Sequence, residues 1–174
     1  VPSQPTFYEF ERNGEVIKAL AQTTKMGFVF LLNRETGEPI FPVEEREVPQ
    51  GAVEGDYVTK TQPFPTKPAP LTPTYLDPEE VFGFTPWDKG YCKKAAKDLR
   101  NEGLYTPPSL EGSVHYPSAI GGANWGGPAV DASRNILIAN TMNLSSTIVI
   151  ILDTLSLEVK SYTKRLPIQK NQLN

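Results

Sequence analysis

The sequence predicts a mainly β fold of antiparallel four-stranded meanders, interrupted by a proline-rich insertion that contains one helix. Three observations carry this. Proline and glycine number 17 and 13 in 174 residues, a density above the roughly 12% of an average protein and foreign to a helix bundle. Short alternating or continuously apolar runs, separated by turn residues, recur near both ends of the chain, as they do in strands. Between them, prolines fall at 49, 63, 65, 68, 70, 73, 78, 86, 107 and 108, and each removes a backbone donor.

Thr6 to Arg12, with Phe7, Tyr8 and Phe10, reads as the first strand. Asn13-Gly14 follows, the strongest two-residue hairpin signal, because both central positions of a type I′ turn need positive φ. Val16 to Thr23 is the second strand, and Lys25-Met26-Gly27 turns the chain again. Phe28 to Leu32 is apolar throughout, the mark of a strand covered on both faces, so it is expected to be the most buried. Asn33 to Gly37 leads into an outer strand, Glu38 to Val43, whose Pro39 and Pro42 suit an edge. Residues 1–43 thus read as one four-stranded unit.

Residues 44–112 form the insertion, where regular strands are not expected. Its helix is placed at Pro86 to Glu102. Thr85 is a good N-cap, Pro86 sits at the tolerated first position, Asp88 completes a capping box and Gly103 follows the last turn. Trp87, Tyr91, Ala95 and Leu99 recur every four residues as an apolar stripe, leaving Lys93, Lys94, Lys97 and Arg100 to solvent.

In residues 113–174 the strand pattern returns at Ala129 to Asp131, Ile136 to Asn140, Ile148 to Asp153 and Glu158 to Tyr162, followed by a tail. Turns fall at Ala132 to Asn135, Asn143 to Ser146 and Thr154 to Ser156. Both units end on an apolar third strand, a turn and a short outer strand. Repetition of such a unit suggests propeller blades, and two blades cannot close a ring that needs four or more.

Composition narrows the function. Lys plus Arg (17) against Asp plus Glu (20) gives a net charge of −3, with no strongly basic window of the kind that nucleic acid requires. The single Cys92 excludes an intrachain disulfide and reads as a small packed side chain. The lone His115 excludes a multi-histidine metal site and reads as a structural or surface residue. The longest aliphatic run, Ile148 to Leu152, is far shorter than the ~20 residues of a membrane span. Val1 to Pro5 carries neither an initiator Met nor a basic stretch before an apolar one, and reads as an internal or processed start. Gly121-Gly122 and Gly126-Gly127 lack the strand-to-helix context of a phosphate loop and read as tight loops. Glu44-Glu45 and Glu79-Glu80 read as solvated carboxylates rather than an acid/base pair.

Several ordered segments go further: Val1 to Thr6, Thr24 to Gly37 (TKMGFVFLLNRETG), Val48 to Gly51 (VPQG) and Gly55 to Phe64 (GDYVTKTQPF). Glu102 to Ser109 (EGLYTPPS), Trp125-Gly126-Gly127 and Ile138-Ala139-Asn140 complete the set. Together they resemble the membrane-type glucose and quinate/shikimate dehydrogenase branch of the quinoproteins, which use pyrroloquinoline quinone. The resemblance implies about two blades of an eight-bladed propeller, periplasmic, attached to the membrane by a segment outside this chain. It also implies a sugar or cyclic polyol as substrate and ubiquinone as electron acceptor; glucose and quinate or shikimate are not separated by the residues present. The family's general-base aspartate lies just upstream of Gln4-Pro5-Thr6, and its calcium or magnesium ligands lie earlier. Neither a catalytic residue nor a metal ligand is therefore expected here. Past Asn140 the resemblance fades, which places a cut or divergence near residue 143.

Three positions could hold the cofactor. A lysine in a turn is ordinarily solvated, but Lys25 matches the family's quinone-contacting lysine, and an ammonium can pair with the cofactor's carboxylates and polarise its carbonyl. Asn140 matches a cofactor-contacting asparagine; on spacing alone it is a turn former. Trp125 offers a flat apolar face beside close-approaching glycine backbone, with packing between blades as its other reading. An isolated fragment of this kind would be inactive. The competing reading is a non-catalytic module that self-associates through open sheet edges.

Overall fold

The computed structural model describes residues 3–152 and 159–164. Strands β1 (Thr6–Arg12), β2 (Glu15–Thr23) and β3 (Val29–Asn33) form an antiparallel sheet in the order β1-β2-β3, with Phe10 opposite Ile17 and Leu20 opposite Leu32. Asn13 (φ 56°) and Gly14 (φ 82°) make the expected turn. The alternation of β2 places Ala19, Ala21 and Thr23 on a fully buried face, where they join Phe28 and Val29. Phe30, Leu31 and Leu32 are only half-buried, so burial is shared between β2 and the start of β3. The predicted outer strand Glu38 to Val43 contracts to one bridge between Leu32 and Pro39. Asn33 N donates to Glu38 O and Ile40 N to Leu31 O, each at 2.8 Å; Pro39 and Pro42 have no N–H with which to continue the ladder.

The insertion contains a hairpin that its prolines argue against. Strand β4 (Val43–Glu47) pairs with β5 (Thr61–Pro65), with Glu45 opposite Pro63 and Val43 opposite Pro65. The two prolines stand two residues apart, so their missing donors face the same edge and leave Gln62 and Phe64 to pair. The Phe64 ring then bridges Phe28 (centroids 5.2 Å apart) and Tyr105 (5.9 Å), tying the hairpin to the first sheet.

Helix α1 (Pro86–Lys97) begins where expected: the Thr85 hydroxyl accepts from Asp88 N at 3.2 Å and donates to the Asp88 carboxylate at 2.7 Å. Thr85→Ala should lower unfolding stability by about 1 kcal/mol with the helix start frayed, a loss to be read from urea denaturation. The helix stops at C-cap Asp98, short of the predicted Glu102. Arg100 is drawn instead into a bridge with Ser113; its N–H donates to Gly112 O at 3.0 Å and its carbonyl accepts from Val114 N at 2.8 Å. Its guanidinium, expected in solvent, bonds the carbonyls of Gly51 (2.7 Å) and Gln50 and pairs with Glu102. Gly103 (φ 89°) serves a separate turn closed by Thr106 N.

The helix also lies rotated from the predicted stripe. Cys92 and Ala96 face inward, while Trp87 is 83% and Tyr91 61% exposed. Gly83 presses on the backbone of the first turn, where a Cβ would stand 2.3 Å from Lys89 N. Glu79 receives both Lys93 and Lys97, the latter at 2.9 Å. Hydrogen bonds from Lys93 and then Lys97 pull its carboxyl down to about 2.

Beyond the helix come β6 (Ser113–His115), β7 (Pro128–Asp131), β8 (Ile136–Ala139), β9 (Ser146–Leu152) and β10 (Val159–Lys164). The predicted single meander is divided: β7 and β8 form a hairpin, and a second sheet has the order β10-β9-β6. Strand β9 pairs with β6 rather than β8 because the intervening loop is committed elsewhere. Met142 N donates to Gly122 O and Leu144 O accepts from Ser118 N, both at 2.8 Å. The turn placed at Thr154 to Ser156 lies outside the described residues.

Candidate functional site

Strand β2 delivers Thr23 and Thr24 to the Lys25-Met26-Gly27 turn. The Thr24 hydroxyl accepts from Phe28 N at 3.1 Å and Gly27 N donates to Thr24 O at 3.0 Å, closing it. Gly27 has φ 78°, and a Cβ there would meet Thr72 Oγ1 at 2.1 Å. Against the turn lies the segment 118–124. Gly122 N donates to Lys25 O (2.6 Å), Ala123 N donates to Thr24 O (3.3 Å), and Met142 N reaches Gly122 O from the far side (2.8 Å). A Cβ on Gly121 would stand 2.6 Å from the Lys25 stem. Three distant stretches of chain are thus laid side by side by backbone bonds, and each of the three predicted site residues lies on or next to one of them.

Trp125 and Asn140 are brought together. Both line a cavity of about 320 Å³, with Thr23, Ala123, Asn124 and Met142. The indole is 80% exposed rather than packed among the described residues. Lys25 stands one segment over: its ammonium donates to Ala119 O at 2.9 Å and lines a second cavity of about 210 Å³, with Tyr105, Thr106, His115 and Tyr116. Burial pushes the Tyr105 and Tyr116 phenols up, with the charge of Glu80 adding to the effect at Tyr116, so both remain donors at neutral pH.

Sequence reasoning passed over Asn124. Its Nδ2 donates to Ile120 O at 2.7 Å, while its buried Oδ1 has no partner among the described residues. An unpaired buried acceptor is costly and invites a donor; the only sequence signal was its position beside Trp125. His115 lines the second cavity, with Nε2 buried and unpartnered among the described residues. Burial pushes its pKa down, opposed by the backbone of Thr106.

The sign of the resulting pH dependence follows. Below about pH 6.5 the unfolded chain takes up a proton on this histidine that the folded one resists. The His115 contribution to stability is therefore complete above that pH and declines as pH falls toward the lowered folded value. Urea midpoints between pH 7.5 and 5 should show the decline, and His115→Gln should flatten it.

Neither carboxylate pair lines either cavity: Glu44 is held by Arg46 at 2.7 Å and Glu79 by the α1 lysines. Among the described residues, no group of three or more His, Cys, Asp or Glu is placed to hold a metal ion, and no helix is long and apolar enough to cross a membrane. An open indole face, two amides and an ammonium one segment away are suited to gripping part of a flat, conjugated, anionic ring.

The family model described as glucose/ethanol/alcohol dehydrogenase, β-propeller domain (PQQ) matches residues 1–172, running past position 143. The quinoprotein glucose dehydrogenase of Escherichia coli (strain K12) is 39% identical over 150 residues, covering 83% of this chain and 18% of that protein. The quinate/shikimate dehydrogenase (quinone) of Acinetobacter baylyi is 32% identical over 88% of this chain and 19% of its own length. The glycerol dehydrogenase large subunit of Gluconobacter oxydans is 36% identical over 80% and 19%. No solved structure matches. The chain spans under a fifth of the length of the curated relatives it matches. A match over nearly every residue, with a mainly antiparallel β architecture beneath it, means that the chain belongs to the PQQ glucose/ethanol/alcohol dehydrogenase β-propeller family.

Proposed function

We propose that this chain is one wall of the cofactor site of a quinoprotein dehydrogenase that oxidises a sugar or cyclic polyol of the glucose, quinate or shikimate type. Residues 1–43 form one blade and 113–174 a second blade with a divergent C-terminal tail, with 44–112 inserted between them. The observation that carries the reading is the backbone seam that fixes Lys25 beside the cavity of Trp125 and Asn140.

Pyrroloquinoline quinone, when bound, supplies the electrophilic carbon that accepts a hydride from the substrate carbinol. Trp125 offers its ring face to the planar cofactor and Asn140 donates an amide hydrogen. Lys25 neutralises carboxylate charge and polarises a quinone oxygen. The proton-accepting aspartate and the calcium or magnesium ligands belong to parts of the parent beyond this chain. So do the periplasmic parent's membrane attachment and its contact with ubiquinone. Titration with pyrroloquinoline quinone should quench Trp125 emission saturably in a chain carrying Trp87→Phe, and the loaded chain with calcium should not turn over glucose or quinate in a dye-linked assay. Absence of saturable quenching would remove the cofactor reading; turnover by the chain alone would refute its incompleteness.

Self-association is a second reading, favoured by one observation. Strand β8 pairs only with β7 among the described residues, and its Ile136 and Ile138 are exposed. A monomeric mass by light scattering at high concentration would exclude it.

A further inference from the structure

We infer that the second cavity is a subsite for the hydroxyl groups of a small polyhydroxylated ring, positioned by His115; the choice of polyol rests on the dehydrogenase reading above. The basis is an acceptor without a donor. His115 is half-buried and lines the cavity, while its Nε2 is buried and unpartnered among the described residues. The Thr106 backbone acts against burial and favours the charged imidazole. Only an acceptor does that, so the Thr106 carbonyl faces a ring N–H, and with Nε2 unpartnered that N–H is Nδ1. The neutral ring is therefore assigned its hydrogen on Nδ1, which leaves a lone pair on Nε2. A buried lone pair is costly until a donor meets it. The χ2 torsion of histidine is broad, so a small turn of the ring brings Nε2 to a hydroxyl in the cavity.

The rest of the wall suits that ligand. At about 210 Å³ the cavity falls below the roughly 300 Å³ at which pockets begin to take drug-sized molecules, leaving room for one small ring rather than the tricyclic cofactor. Tyr105 and Tyr116 each bring an apolar ring face and a phenol that stays protonated at neutral pH, a match for the C–H faces and hydroxyls of a sugar or cyclic polyol. Tyr105 is held at φ 64°, in the left-handed region, by a turn in which Thr106 N and Oγ1 both donate to Gly103 O, at 3.3 and 2.7 Å. Strain of that kind in a bulky residue persists only where the surroundings impose it, and it gathers at ligand sites. Net charge does not pick the ligand: Lys25 lines the cavity, but the Glu80 carboxylate acts on Tyr116 beside it. The Nε2 lone pair does, because it takes a hydroxyl and repels a carboxylate. Lys25 is also the border with the cofactor, since its turn is bonded to Gly122 and Ala123 next to Trp125 and Asn140.

His115 is the one histidine of the chain, so nitrogen NMR of the untagged, labelled protein reads its imidazole directly. At neutral pH the free chain should show the Nδ1–H tautomer. Glucose or quinate should move the Nε2 resonance saturably toward that of a hydrogen-bonded nitrogen, the one that does so naming the polyol. Cyclohexanecarboxylate, which has a ring and a carboxylate but no hydroxyl, should not. By calorimetric titration His115→Phe should weaken polyol affinity about tenfold, and His115→Gln, whose side-chain carbonyl reaches the same point, should restore most of it. Quenching of Trp125 by pyrroloquinoline quinone, read in the Trp87→Phe background, should be the same with His, Phe or Gln at position 115. A proton on Nε2, a resonance unmoved by both polyols, equal movement with cyclohexanecarboxylate, or competition between polyol and pyrroloquinoline quinone would each overturn the inference. Saturable polyol binding without Trp125 quenching would remove the cofactor reading and leave this subsite standing; quenching beside a silent His115 would do the reverse.

Discussion

Gly27→Ala should cost about 3 kcal/mol of stability, among the largest losses for one added methyl, and should unseat Lys25 with it. Two independent penalties meet at this position. The backbone sits at φ 78°, where any side chain is strained, and the new Cβ would lie 2.1 Å from Thr72 Oγ1 and 3.2 Å from Thr72 Cβ. Neither can relax freely, because Gly27 O accepts from Leu71 N at 2.8 Å and the preceding turn is bonded to Gly122 and Ala123. The penalties are separable. Thr72→Ala removes the hydroxyl but not the strain, so the double variant should recover part of the loss, measured as a urea midpoint shift at constant m-value. Gly122→Ala meets the same Thr72 side chain, at 2.8 Å from Oγ1 and 2.9 Å from Cγ2, and Thr72→Ala should rescue it more fully. Failure of Thr72→Ala to rescue either substitution would mean that the seam is not packed through Thr72.

The features legible in the sequence are those set by neighbours in the chain. Asn13-Gly14 makes its turn and Thr85 caps its helix because each needs only a few adjacent residues. Partner choice was illegible for the opposite reason. Nothing in Ser113 to His115 announces that β9 will pair with it, since that follows from the loop after Asn140 being bonded to Gly122 and Ser118. The stripe of Trp87 and Tyr91 was misassigned because periodicity finds a face without saying which face meets the protein; the buried face carries the small Cys92 and Ala96. At the site, residue type and family pattern pointed to Lys25, Trp125 and Asn140. Their assembly depends on backbone N–H groups of residues 122, 123 and 142, which every non-proline residue possesses and no composition reveals. Asn124 was missed because its unpaired oxygen is a property of the fold, not of the residue type.

Lys25→Met should leave the fold almost untouched and cripple cofactor binding. The lysine side chain makes a single hydrogen bond, to Ala119 O at 2.9 Å, from a half-buried position. Methionine keeps the apolar stem against Gly121, so the change in stability should stay within about 0.5 kcal/mol. The quinone's carboxylates, by contrast, lose a charge-assisted donor, worth about 1.5–3 kcal/mol. Fluorescence titration should therefore show affinity falling roughly tenfold to a hundredfold. Salt supplies the control that separates a charge effect from lost packing. Affinity of the unaltered chain should fall between low and physiological ionic strength, and the Lys25→Met variant should fall less, because part of the screened attraction has gone. Lys25→Arg should not restore binding fully, since a planar guanidinium cannot occupy the same point beside Ala119 O without moving the Gly121-Gly122 loop. Equal affinities for the unaltered and Lys25→Met chains would place the cofactor against Trp125 and Asn140 alone and strip Lys25 of its role.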